Sequence, residues 1–322
     1  LTGFLDVFPL LAILILAVSI LAGFVLAATV LAILCETRPF FGMTQHWGLQ
    51  LWWLALIGAG GGAWLGIRWA AFACGISALY WSLRIWLPRF AANDTPTEPA
   101  APLLRLMSAN LLYINTRADL PDRLRAAAAD VIVLIEVTPD CRDRLKMLGD
   151  THPHAVDSCD IDPSGLYGIL IRSRYPLTVL SRGGGSDAAP RHLSVRLQVE
   201  GRALDLIAVH LTNPTRWRLA PRIPGEIQDL IRQAKSGGAD LILCGDCNAA
   251  GWSSWLRRLE AATGLRNQGR LLPSWPVALP VFLRLPIDHV WARGRAIALD
   301  TRLGSRTGSD HLPLLAEIGW RA

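Results

Sequence analysis

Lysine is almost missing from this chain: of 32 basic residues only Lys146 and Lys235 are lysines, and the rest are arginines. Charge of either sign is scarce in the first hundred positions. Residues 1–100 hold four basic side chains (Arg38, Arg68, Arg84, Arg89) and four acidic ones (Asp6, Glu36, Asp94, Glu98), set among runs of Leu, Ala, Ile, Gly and Trp. That scarcity excludes an ordinary water-facing domain there and makes lipid the natural solvent. The chain has six cysteines but no CxxC…CxxC pattern, which excludes a zinc-ribbon framework. Its one CxxC, Cys244 with Cys247, encloses Gly245 and Asp246 at the end of an apolar run instead of opening a helix, which argues against a thioredoxin-like redox motif.

What the first part has instead is length without charge. Residues 9–34 carry no charged side chain; at about 1.5 Å per residue such a run crosses about 30 Å of hydrocarbon with some tilt. The run exceeds the apolar core of a signal peptide, lacks a basic leader and is followed by further apolar runs, so it reads as a transmembrane helix. Residues 49–67 and 69–87, separated by Arg68, read as a tight helical hairpin. Gly58, Gly60, Gly61 and Gly62 permit close helix contact, and tryptophans gather near the proposed ends. The expected organisation is three spans within 1–87, a Pro- and Ala-rich linker over 88–102, and a soluble domain over 103–322.

All of the net charge of +6 belongs to the soluble part, and guanidinium groups suit planar, bidentate recognition of phosphate. An arginine-rich base composition leaves the same mark. Strands are expected at 105–110, 131–136, 167–172, 192–199, 203–211, 240–244, 287–292 and 312–318, with helices at about 119–129, 138–149, 218–235 and 252–262. Several strands are apolar throughout and so buried on both faces. The class is therefore α/β or α+β, a layered sandwich with helices outside.

Polar residues recur where these apolar runs end: Asn110, Glu136, His210, Asp246 with Asn248, Asp288 with His289, and Asp310 with His311. Hydrolysis of a phosphate ester needs an anionic metal site, a water beside a base, and donors aimed at the non-bridging oxygens; this set contains all three. Taken in order, N…E…H…GDxN…DH…SDH resembles the endonuclease/exonuclease/phosphatase superfamily, from about Leu104 to Ile318. GDCN and SDHLP are its most specific pieces.

The resemblance implies a two-layer αββα sandwich and a divalent cation, Mg²⁺ with Mn²⁺ as the alternative, held by Glu136 with Asn110 beside it and Asp310 in the same cluster. It implies that Asp246 orients or deprotonates the attacking water and that the Asn248 amide binds a phosphate oxygen. His311, oriented by Asp288, would contact the phosphate. His210 would act as general acid or phosphate ligand, assisted by Asn213. The division of acid work between the two histidines stays open. His289 follows Asp288 within a strand, should face the other way, and reads as structural.

The sequence departs from abasic-site nucleases around ANLLYIN and GDCNAAGWSSW, and no inositol phosphatase signature is evident. The implied substrate is a phosphate ester: a phospholipid-like molecule, a small phosphodiester or nucleic acid. The loop 272–286 is expected to pack on the domain's own surface, with lipid contact through Trp275 and Phe282 as the alternative. Arg216, Arg218 and Arg222 fit either a phosphate-rich partner or a solvated helix start. The lipid bilayer is the other expected partner, and no protein partner is indicated. Arg38, Arg84 and Arg89 favour a cytoplasmic domain. Resemblance to three-span bacterial proteins favours the outer side of an inner membrane, and that orientation is the expectation. Should the domain face an oxidising compartment, Cys141 and Cys159 are the expected disulfide pair. A catalytically silent membrane-associated binding module of the same fold is the competing expectation.

Overall fold

The computed structural model describes residues 7–36, 38, 41–87, 101–184, 190–267 and 271–321. It divides into two compact units, Leu1–Asn93 and Asp94–Ala322. The expected linker falls largely on 88–100, outside the described residues.

The first unit is helical. Helix α1 (Val7–Leu34) is followed by α2 (Gly48–Trp64) and α3 (Arg68–Ile85). Gly62 is a glycine for steric reasons: a Cβ there would lie 2.6 Å from the Ala71 nitrogen, so only a bare backbone lets α2 and α3 approach this closely. The Trp81 indole donates to Thr29 Oγ1 over 3.1 Å and ties α3 to α1, while Arg84 pairs with Glu36 at 2.7 Å. Outward faces remain apolar: Ile20, Phe24, Ile57, Trp69 and Phe72 are exposed. Among the described residues one helix, over Leu10–Leu34, is long and apolar enough to cross a membrane.

The second unit holds two six-stranded sheets. In chain order the elements are β1 (Ala101–Asn110), α4 (Leu120–Ala126), β2 (Val131–Val137), α5 (Pro139–Arg144), β3 (His154–Asp157), β4 (Gly168–Ser173), β5 (Leu177–Gly184), β6 (Arg191–Val199), β7 (Arg202–His210), α6 (Ile223–Ser236), β8 (Leu241–Asp246), α7 (Ser254–Thr263), β9 (Arg266–Asn267), β10 (Asp288–Arg293), β11 (Ala296–Leu303) and β12 (Leu314–Trp320). One sheet runs β11-β12-β1-β2-β4-β3, the other β5-β6-β7-β8-β10-β9.

The inner faces share one apolar core, in which Leu106, Val131, Val133 and Ile171 of the first sheet meet Val195, Leu206, Ala208, Ile242, Cys244 and Val290 of the second. Outer faces are covered separately. Ile207, Val209, Leu241 and Leu243 pack with Ile227, Leu230, Leu256 and Leu259 of α6 and α7, and Met107, Ile132 and Leu134 pack with Leu120, Leu124 and Leu145. This is the αββα layering expected of strands buried on both faces.

Local chemistry sets the helix limits. Pro224 sits in the first turn of α6, after a 3₁₀ turn at Ala220–Arg222, so the α-helix starts later than expected. Ser253 caps α7 through the Leu256 amide, and Gly264, at φ +72°, ends it. The helix expected at 138–149 is instead a six-residue α5, capped by Thr138, and a 3₁₀ segment Leu145–Asp150. Strands β3, β5, β9 and β11 were not among those expected; β5 and β11 are partly exposed and lack a continuous apolar run. Cys141 and Cys159 are both buried and carry free thiols; Cys159 donates to the Val137 carbonyl.

Candidate active site

The period of two that builds the inter-sheet core also builds the site. On β7 the inward positions run Leu204, Leu206, Ala208 and then His210; on β8 they run Ile242, Cys244 and then Asp246. Each apolar series therefore ends on a polar residue at the same end of the sandwich. Strand pairing aligns those ends: Arg191 is opposite His210, His210 is opposite Asp246, and Asp246 is opposite Asp288. The result is a row across four neighbouring strands, β6-β7-β8-β10, with side chains on one face and successive strands about 4.8 Å apart.

The facing sheet supplies Asn110 and Glu136. Asn110 ends β1, and its amide donates to Glu136 Oε1 over 3.1 Å and to Asp246 Oδ2 over 2.9 Å, so it ties the two sheets together through carboxylates. Its own oxygen accepts the Leu112 N–H at 2.9 Å. Glu136 lies where β2 loses register with β4, at φ +59°, and this irregularity turns its carboxylate into the cleft, where it accepts the Tyr113 N–H. Asn248, at φ +48°, and Leu112, at φ +61°, also line the cleft with left-handed backbone. Three such non-glycine residues in one cleft mark a shape held by its surroundings.

His210 Nε2 stands 3.7 Å from Glu136 and 3.8 Å from Asp246, and its Nδ1 is buried without a hydrogen-bond partner among the described residues. His311 Nδ1 bonds Asp288 Oδ2 at 2.8 Å, leaving Nε2 at 3.8 Å from Asp246. Burial, with Arg191 the next cause, pushes the His210 pKa down to about 3, so this imidazole is neutral. Burial also opposes charge on His311, but Asp288 and Asp246 outweigh it and carry its pKa up to about 10. Burial and the nearby Asp288 raise Asp246 well above the ordinary carboxylate range.

Among the described residues two groups have the spacing to hold a metal ion: Glu136, His210 and Asp246, and Asp246, Asp288 and His311, with candidate atoms within 4.8 Å of one another. The donor set fits a hard divalent cation. Three carboxylates meet with His311 as their nearby positive partner, and a cation offsets both the burial and the neighbouring Asp288 charge that raise Asp246.

Other expected residues take different places. Asp310 belongs to neither group; it accepts the Trp275 indole N–H at 2.9 Å on the wall of the same cavity. Asn248 is anchored twice: its Nδ2 donates to Leu211 O at 2.9 Å and its backbone N–H to Asp246 Oδ1 at 2.8 Å. Asn213 lines the cavity while its oxygen accepts from Thr215. His289 is fully buried between Asn267 and the Ala249 carbonyl, away from the cluster. In the loop 272–286, Trp275 borders the cavity whereas Phe282 is exposed.

The cavity measures about 190 Å³, and Tyr113, Tyr167 and Arg191 are among the lining residues that the sequence does not single out. Arg191 had one available signal: it immediately precedes the apolar-alternating run HLSVRLQV.

Residues 107–311 match the model of the Endonuclease/Exonuclease/phosphatase family. No curated protein matches the chain in sequence. Similar solved structures include an endonuclease/exonuclease/phosphatase from Beutenbergia cavernae, 20% identical with a TM-score of 0.55, covering 68% of this chain and 72% of that one. D. rerio TDP2 complexed with single-strand DNA product is 16% identical with a TM-score of 0.53, covering 67% and 98%. A beta toxin from Staphylococcus aureus with bound magnesium ions is 14% identical with a TM-score of 0.53, covering 66% and 99%. At these identities the likeness is one of fold.

Proposed function

This chain belongs to the endonuclease/exonuclease/phosphatase family and is a hydrolase of phosphate ester bonds, and from that premise we propose that it is a membrane-anchored, Mg²⁺-dependent phosphodiesterase. The observation that carries the site assignment is the in-register row of His210, Asp246 and Asp288 facing Asn110, Glu136 and His311. A silent binding module has no need of left-handed backbone at Glu136 and Asn248 or of an Asp246 raised by burial and by the adjacent Asp288.

The residues divide the chemistry by their protonation. Asp246, raised toward neutrality and fixed by donors at both oxygens, is the base that orients the attacking water and takes its proton. His311, held charged by Asp288, donates from Nε2 to a non-bridging phosphate oxygen and stabilises charge that develops there. His210 is neutral and serves as a phosphate or metal ligand, which supports His311 as the bearer of the proton. Glu136 would hold the cation with Asn110 and His210 beside it; when bound, the cation would polarise the phosphoryl oxygen as a Lewis acid. The Asn248 and Asn213 amides, on the cavity wall, complete the substrate contacts.

Two similar structures, one with single-strand DNA product and one with magnesium ions, support a phosphodiester and this metal. The anchor rests on α1 and on the apolar outer faces of α2 and α3, which read together as three spans. The catalytic unit then faces outward from a bacterial inner membrane, and a C-terminal reporter active only on the outer side supports that orientation; activity confined to the cytoplasm refutes it. For the chemistry, hydrolysis of bis(4-nitrophenyl) phosphate in ¹⁸O-labelled water should place the label in the phosphate product and stop in EDTA. Label in the phenol, or full turnover in EDTA, contradicts the mechanism.

A further inference from the structure

The row of site residues does not end at His210. One strand farther, about 4.8 Å along the sheet, stands Arg191, opposite His210 in the β6-β7 ladder and on the same face. Its guanidinium is aimed by a buried carboxylate: Nε donates to Asp162 Oδ1 over 3.1 Å. Asp162 is itself fixed, accepting from Ser164 Oγ and from the Leu166 and Tyr167 amides at its other oxygen. The terminal amino groups of Arg191 have no hydrogen-bond partner among the described residues, and Arg191 lines the same cavity as Glu136 and His210.

A second guanidinium joins it. Arg216 donates to the Tyr167 hydroxyl at 2.7 Å, and the Arg191 and Arg216 guanidinium carbons lie 4.8 and 5.3 Å from the Tyr167 ring centre. The cavity therefore has two chemically different ends. At one, carboxylates and His311 surround the reacting phosphate; at the other, two arginines lie over an aromatic ring with donors to spare. A planar guanidinium fixed at Nε presents its remaining N–H groups as a fork that suits a phosphate.

We infer that Arg191 and Arg216 bind a second, non-reacting phosphate of the same substrate, so that the preferred substrates carry two phosphates close together. This assignment rests on the phosphodiesterase reading and adds what that reading leaves open, the class of ester. A substrate with one phosphate leaves the Arg191 fork unmatched; one with two gains charge-assisted hydrogen bonds, which favour it by at least about tenfold.

The test compares thymidine 3′,5′-bisphosphate with thymidine 5′-monophosphate by isothermal titration calorimetry on the full chain in detergent, with bis(4-nitrophenyl) phosphate turnover measured on the same preparation. The bisphosphate should bind at least about tenfold more tightly, and the preference should shrink to about threefold or less in Arg191→Gln. Arg216→Gln, on an exposed loop, should also narrow it and guards against a folding defect in the first variant. Equal affinities in the wild type, or a preference unchanged in both variants, overturn the inference. Turnover without a bisphosphate preference sinks this subsite alone; a bisphosphate preference lost in Arg191→Gln, without turnover of any ester, supports the subsite and sinks the hydrolase mechanism.

Discussion

Asn110→Asp exchanges one donor for an acceptor at the centre of the site. The Asn110 amide donates to Asp246 over 2.9 Å and to Glu136 over 3.1 Å, and a carboxylate there turns both contacts into repulsions. At about 3 Å and an effective dielectric near 20, each like-charge contact costs about 5 kcal/mol. The protein can escape by taking up a proton, and that route sets the ceiling. Holding a carboxyl protonated at about pH 7.5 against an ordinary pKa near 3.9 costs about 5 kcal/mol.

The expected destabilisation is therefore about 5 kcal/mol at about pH 7.5, less by about 1.4 kcal/mol for each unit of pH below that. The sign follows from a folded-state pKa raised above the unfolded one: stability is greatest below the unfolded value and is lost as pH rises toward the folded one. For a unit of this size the loss corresponds to roughly 10–20 °C in Tm. Thermal melts of the full chain in detergent and EDTA, near pH 5.5 and near pH 7.5, measure it. Mg²⁺ should narrow the gap by offsetting the added charge. A variant within about 3 °C of the wild type in EDTA near pH 7.5, or a gap that widens on acidification, refutes the geometry.

Asp205→Asn should destabilise the soluble unit by about 3 kcal/mol near neutral pH, because a buried carboxylate now bonded by Arg196 and the Gly238 N–H loses its charge. Burial opposes that charge, but Arg196 and Gly238 outweigh it and hold the Asp205 pKa below its ordinary value. Its contribution is thus present above the unfolded pKa and fades as pH falls through the folded one; a denaturation difference that grows toward acid contradicts this. Gly62→Leu should open the α2-α3 hairpin, since even a Cβ meets Ala71 backbone, and cross-linking between α2 and α3 would report it. Thr212→Val should cost about 1.5–3 kcal/mol in urea unfolding by removing a buried hydroxyl from the Glu226 carboxylate, 2.7 Å away.

The sandwich was legible because its central strands are apolar on both faces: VIVLIEV and DLILC admit few other placements. The polar site residues were legible for a related reason, each interrupting such a run where it ends. What one strand cannot display is its register with another. That Arg191 shares a row with His210 and Asp288 depends on the registers of three ladders, the β6-β7 hairpin and the β7-β8 and β8-β10 pairings between more distant segments, so Arg191 alone reads in sequence as a solvated strand start. Asp310 illustrates the converse. Its place beside His311 in SDHLP suggests the metal cluster, but the Trp275 indole, delivered by a distant loop, takes its carboxylate. Edge strands β5 and β11 were hidden because exposure removes the continuous apolar signal.

The central claim is that the aligned carboxylates and histidines hydrolyse phosphodiesters with a divalent cation. Its most direct test is Mg²⁺-dependent turnover of bis(4-nitrophenyl) phosphate by the full chain beside Glu136→Gln and Asp246→Asn, with melting curves confirming that each variant is folded. Each substitution keeps shape while removing charge, and each should lower kcat/KM by about 10²–10⁴. Folded variants that turn over as fast as the wild type would contradict the account.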